Sequence, residues 1–150
     1  MNRLTFVCTG NTCRSVMAEH IMREKLRNIG REWPAVSSAG IAAHGGFSKI
    51  EALAEVLSER GIKYSGNYPR QLDRGVMEES DLILAMTEPH LIFIRELFPV
   101  FKNKAFLLSD YACGEALDVP DPVGSGPEGY RMTLEIIERY IDQIKERFNV

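Results

Sequence analysis

The chain has little cysteine: three residues, at positions 8, 13 and 113. Three thiols cannot complete a disulfide framework, which points to a reduced, cytoplasmic setting. No C-x-x-C or H-x-x-x-H spacing occurs, and His20, His44 and His90 are scattered, so no metal and no other cofactor is expected. No apolar run comes near the ~20 residues that cross a bilayer. Residues 1–7 are too short for a signal-peptide core with its cleavage site, so no membrane partner is expected. Positive charge is also in short supply. Eighteen Lys and Arg against 21 Asp and Glu leave a net charge of −3, which argues against a nucleic-acid binder. Repeats, low-complexity tracts and linkers are absent too.

What is present has the composition of a globular domain, 45% hydrophobic and 26% charged. At this length one domain spanning 1–150 is expected, able to bury about 70% of its extended-chain surface without staples. Charge is unevenly spread. Residues 1–31 carry six basic and two acidic side chains, net +4, and residues 32–150 carry 12 and 19, net −7. A basic amino-terminal end on an acidic protein suits a small anionic ligand better than a long polyanion. A solvated helix face at 19–31 would give the same count.

Four short apolar runs fit buried strands: 4–7, 35–36, 82–86 and 105–108. Helical patterns lie between them. Met17, Ala18, Ile21, Met22, Leu26 and Ile29 form a stripe that Gly30 ends. Ser48 with Glu51 reads as a capping box, followed by Ile50, Leu53, Ala54 and Leu57 and a stop at Gly61. A short helix fits 73–80. Thr87 caps a helix to Phe98, with Pro89 in its first turn and Pro99 beyond it. Pro127 opens a last helix whose stripe is Tyr130, Leu134, Ile137, Ile141, Ile144 and Phe148. The alternation implies an α/β fold: one three-layer domain, a four-stranded parallel sheet with helices on both faces. In such sheets ligands bind beyond the carboxyl ends of the strands.

Directly after the first strand stands Cys8-Thr9-Gly10-Asn11-Thr12-Cys13-Arg14-Ser15, running into the first helix. Strand, tight loop and helix start make an anion cradle, in which the N–H groups of Thr9 to Arg14 converge on one point. It is not a nucleotide-binding P-loop, because no Gly-Lys-Ser/Thr follows. A cysteine at the head of such a cradle is favoured as thiolate by the helix end, the amides and Arg14. Arg14 can grip two phosphate oxygens with its planar fork. Ser15 can donate to the sulfur and help cap the helix. The set reads as a nucleophile aimed at a bound tetrahedral oxyanion. The plainer reading is a structural Cys8 and a surface Arg14.

Transfer to sulfur needs a proton for the leaving group. Asp121, stiffened between Pro120 and Pro122, is the first candidate and Asp118 the second, although Asp-Pro is also ordinary turn chemistry. Cys13 either traps an oxidised Cys8 as a disulfide or is a small buried side chain. Cys113 reads as packing.

The loop is similar to that of the low-molecular-weight protein tyrosine phosphatase family. The likeness extends through Ser38-Ala39-Gly40, Arg70-Gln71-Leu72, the segment 80–86 and Asp121-Pro122. The resemblance implies two-step, metal-free hydrolysis through a phosphocysteine. By it, Cys8 is the nucleophile, Arg14 the transition-state clamp, Ser15 the thiolate stabiliser and Asp121 the general acid that later activates water. Asn11 would hold the loop's shape with Ser38. Val16 and Asn67 depart from the family pattern, in which proline and histidine are common there.

Tyrosine-specific members usually carry an aliphatic residue at the position of Thr12 and aromatic residues after Asp-Pro, where this chain has Val123-Gly124. A phosphotyrosine ring needs an apolar slot. Phosphoarginine instead presents N–H donors, for which Thr12 Oγ and the Asp121 carboxylate are acceptors. The loop, with Leu84-Ala85-Met86-Thr87, is similar to bacterial protein arginine phosphatases. The expected partners are therefore proteins carrying phosphoarginine, with phosphotyrosine proteins as the alternative and inorganic phosphate as product. A thiol-coupled arsenate reductase would need a second cysteine pair beyond the loop, where only Cys113 stands. A phosphate-binding module without chemistry is the remaining rival.

Overall fold

The computed structural model describes residues 1–148. Its four strands, β1 (Arg3–Cys8), β2 (Ala35–Gly40), β3 (Leu82–Ala85) and β4 (Ala105–Leu107), are all parallel, in the order β2-β1-β3-β4. The helices are α1 (Arg14–Asn28), α2 (Glu51–Ser58), α3 (Arg74–Glu79), α4 (Glu88–Leu97), α5 (Leu108–Cys113) and α6 (Gly126–Lys145). Short 3₁₀ turns cover Pro99–Lys104 and Glu146–Phe148. The expected three-layer α/β domain is the architecture found.

The twofold alternation of strand side chains sorts the core into two layers. Leu4, Phe6 and Cys8 of β1, with Leu82 and Leu84 of β3, face the side covered by α1, α2, α5 and α6. Val7, Ile83, Ala85 and Leu107 face the other side, under Val76 and Met77 of α3 and Leu91 and Ile94 of α4. The α6 stripe is buried from Tyr130 through Leu134, Ile137 and Ile141 to Ile144, with Phe148 partly covered. Truncating Ile141 to alanine there would cost ~2–5 kcal/mol.

The chain leaves β1 toward α1 and β2 on one side and returns to β3 on the other. The connections after β1 and β3 therefore diverge, opening a crevice at the carboxyl end of the sheet. Its far wall is tied down by backbone bonds: Met86 N donates to Val7 O and Val119 N donates to Met86 O, both at 2.9 Å.

Several local expectations change. β1 and β2 run further than the apolar residues alone indicated, because Ser37, Ser38 and Gly40 pair with β1 as well as Ala35 and Val36 do. Ser48 does not cap α2. It forms an isolated bridge with Asn67, and Ile50 precedes the helix without a side-chain cap. Leu108 leaves the strand to open α5, a helix absent from the sequence reading. Thr87 does cap α4, accepting from His90 N, and Asp73, expected only as the start of a short helix, caps α3 by accepting from Val76 N. Among the described residues no helix is long and apolar enough to cross a membrane.

Candidate active site

The loop after β1 is held from outside by its carbonyls. Cys8 O accepts from Ile41 N at 3.0 Å and Thr9 O from Ala42 N at 2.8 Å. Asn11 O accepts from Asn67 Nδ2 at 3.0 Å, and Cys13 O from Met17 N at 2.8 Å. In a trans peptide the C=O and the following N–H point opposite ways. Binding these carbonyls therefore turns the amides of Thr9, Gly10, Thr12 and Arg14 away from those partners. The close seat of β2 against the loop requires Gly40, since a Cβ there would lie 2.5 Å from Thr9 O and 2.9 Å from Asn11 N.

Asn11 organises the centre. Its φ of 55° is the left-handed conformation that asparagine tolerates better than most residues. Its Nδ2 donates to Ser15 Oγ at 2.9 Å and Ser38 Oγ at 2.8 Å, and its Oδ1 accepts from Arg70 N at 2.8 Å. Ser38 Oγ in turn donates to Glu19 Oε1 at 2.5 Å. Because Asn11 Nδ2 can only donate, Ser15 Oγ accepts from it. The Ser15 hydroxyl hydrogen is then free for Cys8 Sγ, 2.9 Å away. Ser15 does not cap α1: the cap position is Cys13, without a side-chain bond, and Ser15 lies inside the helix, occupied by Asn11 and Cys8.

Arg14, in the first turn of α1, is buried, and its Nη1 donates to Val119 O at 3.0 Å. Its Nη2 is 3.8 Å from Asp121 Oδ2, so the two side chains expected to share the site face each other across it. The Arg14 side chain is 8% exposed and that of Asp121 is 53% exposed. Asp121 Oδ1 accepts from Val123 N at 3.0 Å, which sets the turn after Pro122. Asp118 is occupied elsewhere, accepting from Glu88 N at 2.8 Å at the start of α4.

Thr12 is partly buried on the loop, and its Oγ1 lies 3.6 Å from where a Gly10 Cβ would stand. Cys13 is buried in the α1–α6 core, beside Tyr130. Burial first, then the negative charges of Cys8 and Asp121, push its thiol up to about 12. The cysteines are all unpaired, and Cys113 is exposed rather than packed, because α5 ends there at the left-handed Gly114. Among the described residues no three His, Cys, Asp or Glu side chains gather as a metal site.

Sequence reasoning missed two participants, Tyr64 and His90, and left open the role of a third, Asn67. Asn67 supports the loop carbonyl at Asn11 and accepts from Tyr64 Oη at 2.5 Å, which answers what replaces the family's common histidine. Tyr64 itself, edge-on to His20, carried no signal in the sequence. His90 Nε2 lies 2.8 Å from Thr9 Oγ1. Its place in the first turn after β3, at the carboxyl end of the sheet, was a usable signal.

A buried cysteine at the end of β1, followed in sequence by a loop with a buried arginine that faces a half-exposed carboxylate, stands at the carboxyl end of a parallel α/β sheet. Residues 3–149 match the model of the low molecular weight phosphotyrosine protein phosphatases, and the chain belongs to that family. It is 38% identical over 146 residues to a protein-arginine-phosphatase of Geobacillus stearothermophilus, covering 97% of this chain and 95% of the relative. It is 34% identical over 143 residues to a low molecular weight protein-tyrosine-phosphatase of Streptomyces coelicolor, covering 91% and 87%. Among solved structures, a cysteine-to-serine mutant of the YwlE arginine phosphatase with a phosphorylated active-site serine superposes with a TM-score of 0.90. It is 32% identical, with 97% of this chain and 95% of that one covered.

Proposed function

We propose that this chain is a cysteine-dependent protein phosphatase that hydrolyses phosphoarginine on proteins in a reduced, cytoplasmic setting. The Cys8 thiolate attacks phosphorus, the P–N bond breaks, and the Asp121 carboxyl proton goes to the departing guanidine nitrogen. Arg14 and the loop amides hold the three equatorial oxygens as charge gathers on them. In the second step Asp121 takes a proton from water as its oxygen attacks the phosphocysteine. Inorganic phosphate leaves and the thiolate is restored. Asn11 and Ser38 keep the loop shaped for both steps, and neither step calls on a metal.

The observation that carries the reading is the mouth of the site. Val123 follows Asp-Pro and is 66% exposed. Tyr130 is buried against Cys13 rather than walling a slot for a phenyl ring. Thr12 Oγ1 and the unprotonated oxygen of the Asp121 carboxyl are hydrogen-bond acceptors suited to guanidinium N–H groups, and the Geobacillus relative's name agrees with that chemistry. Cys13 also stands as a resolving thiol: peroxide would convert the Cys8 thiolate to a sulfenic acid, which condenses with Cys13 with loss of water. Its elevated pKa keeps it a thiol at neutral pH, so that condensation is slow.

Rapid acid quench after mixing with a phosphoarginine peptide tests the reading, followed by mass mapping of the protein. Phosphate on Cys8, lost in Cys8→Ala, is the expected result. Turnover without an adduct on Cys8, or an adduct on another residue, would overturn the mechanism.

A further inference from the structure

The imidazole of His90 reaches from the first turn of α4 to a residue 81 positions away on the phosphate loop, and nothing in the mechanism above uses it. His90 as a whole is 4% exposed. Its Nε2 meets Thr9 Oγ1 at 2.8 Å, and its Nδ1 is buried with no partner among the described residues. The backbone N–H of His90 donates to Thr87 Oγ1 at 3.3 Å, so the ring rises from a capped helix start. Thr9 is exposed on its outer side, and its carbonyl is already fixed by Ala42 N. His90 supplies the second hold.

We propose that His90 is a positioning residue of the phosphate loop: as the neutral Nε2–H tautomer it donates to Thr9 Oγ1 and fixes the first peptide after Cys8. The hydrogen-bond count decides the tautomer. A proton on Nδ1 would bury an unmet N–H donor and make Thr9 give its only hydrogen to the ring. A proton on Nε2 leaves Nδ1 with a lone pair, and buried unmet acceptors occur more readily than buried unmet N–H groups. Thr9 Oγ1 then accepts, and its hydroxyl hydrogen remains available on the open side of the loop. The charged groups around the ring are Arg14, Asp118 and Asp121. A protonated ring would set a second fixed cation beside Arg14 and remove the acceptor demanded by any ligand of Nδ1. The positioning role rests on the phosphatase reading, whereas the tautomer does not.

Three variants and one spectrum test it. His90→Gln carries an amide N–H₂ near the place of Nε2, His90→Asn carries it near Nδ1, and His90→Phe keeps bulk without nitrogen. With a phosphoarginine peptide, Asn and Phe should lower kcat about tenfold and weaken inhibition by inorganic phosphate by a similar factor, about one hydrogen bond's worth. Gln should return both to within about threefold of the parent while sharing the Tm of Asn. In the parent protein, imidazole ¹⁵N shifts should report Nε2–H, unchanged between about pH 5.5 and about pH 8. Equal losses in Gln and Asn, or an Nδ1–H or charged ring across that range, would overturn the proposal. If the parent hydrolyses neither phosphoarginine nor phosphotyrosine peptides, the phosphatase reading fails. The phosphate-binding series and the spectrum still decide the role of His90.

Discussion

On the β2 side of the site, Asn11 is gripped through both ends of its side chain and its backbone carbonyl, and its φ of 55° is paid for by that network. On the opposite side, Asp121 stands half in solvent, bonded to Val123 N within its own turn and 3.8 Å from Arg14. The two walls have different work. On the proposed mechanism Cys8 has one productive position, and the buried network of Asn11, Ser38 and Ser15 reaches its sulfur through Ser15. On the same mechanism Asp121 would admit a bulky substrate, deliver a proton and then receive one, which an exposed side chain on a proline-stiffened turn can do.

The largest expected effect lies at the nucleophile. Cys8→Ser should lower kcat by about 10⁴-fold or more while inorganic phosphate still binds, as read by kinetics and calorimetry. Asp121→Asn should cost ~10²–10⁴-fold on substrates whose leaving group needs a proton. Full activity on phosphoarginine at neutral pH would move the acid elsewhere. Asp118→Asn is the contrast, near parental in rate, because an amide oxygen can still accept from Glu88 N.

Asn11→Ala should destabilise the fold by ~2–4 kcal/mol in urea melts, combining left-handed strain with unmet buried groups. Asn11→Gly should recover only the strain. An equal loss in both would mean that the bonds, not the backbone, carry the wall.

His90, in α4 after β3, gives the fold a pH signature. Burial first and Arg14 second hold the folded imidazole down to about 4, while the unfolded ring takes its proton near 6.5. Between those values the unfolded chain binds more protons, so stability falls as pH drops through that window and the deficit is absent above it. It should approach about 3 kcal/mol near the lower end. Denaturation midpoints of the parent against His90→Gln read it, and identical acid slopes would contradict it. The smallest effect is on specificity: Thr12→Ile should move the phosphoarginine-to-phosphotyrosine ratio toward tyrosine by about tenfold, or ~1–3 kcal/mol.

The layered fold was legible because apolar runs and helical stripes are local signals, and the burial of Leu4, Phe6, Ile137 and Ile141 follows them. Element ends were less so. Ser37, Ser38 and Gly40 become strand only through pairing with β1, and α5 begins without a side-chain cap to mark it. In the site, residues close in sequence were readable as a set. Partners of Asn11 and Thr9 that lie 56 and 81 positions away, Asn67 and His90, became visible only when the fold joined them. Ser48 shows the reverse: a capping pattern correct in spacing was overridden by a bridge to Asn67.

The most direct test is kcat/KM for a phosphoarginine peptide and a phosphotyrosine peptide of the same flanking sequence, side by side, with reductant and without metal. The account predicts a preference for phosphoarginine of about tenfold or more, one acceptor's share of binding energy. A preference for phosphotyrosine would contradict it, leaving Cys8, Arg14 and Asp121 in a tyrosine phosphatase and removing Thr12 from the account of specificity.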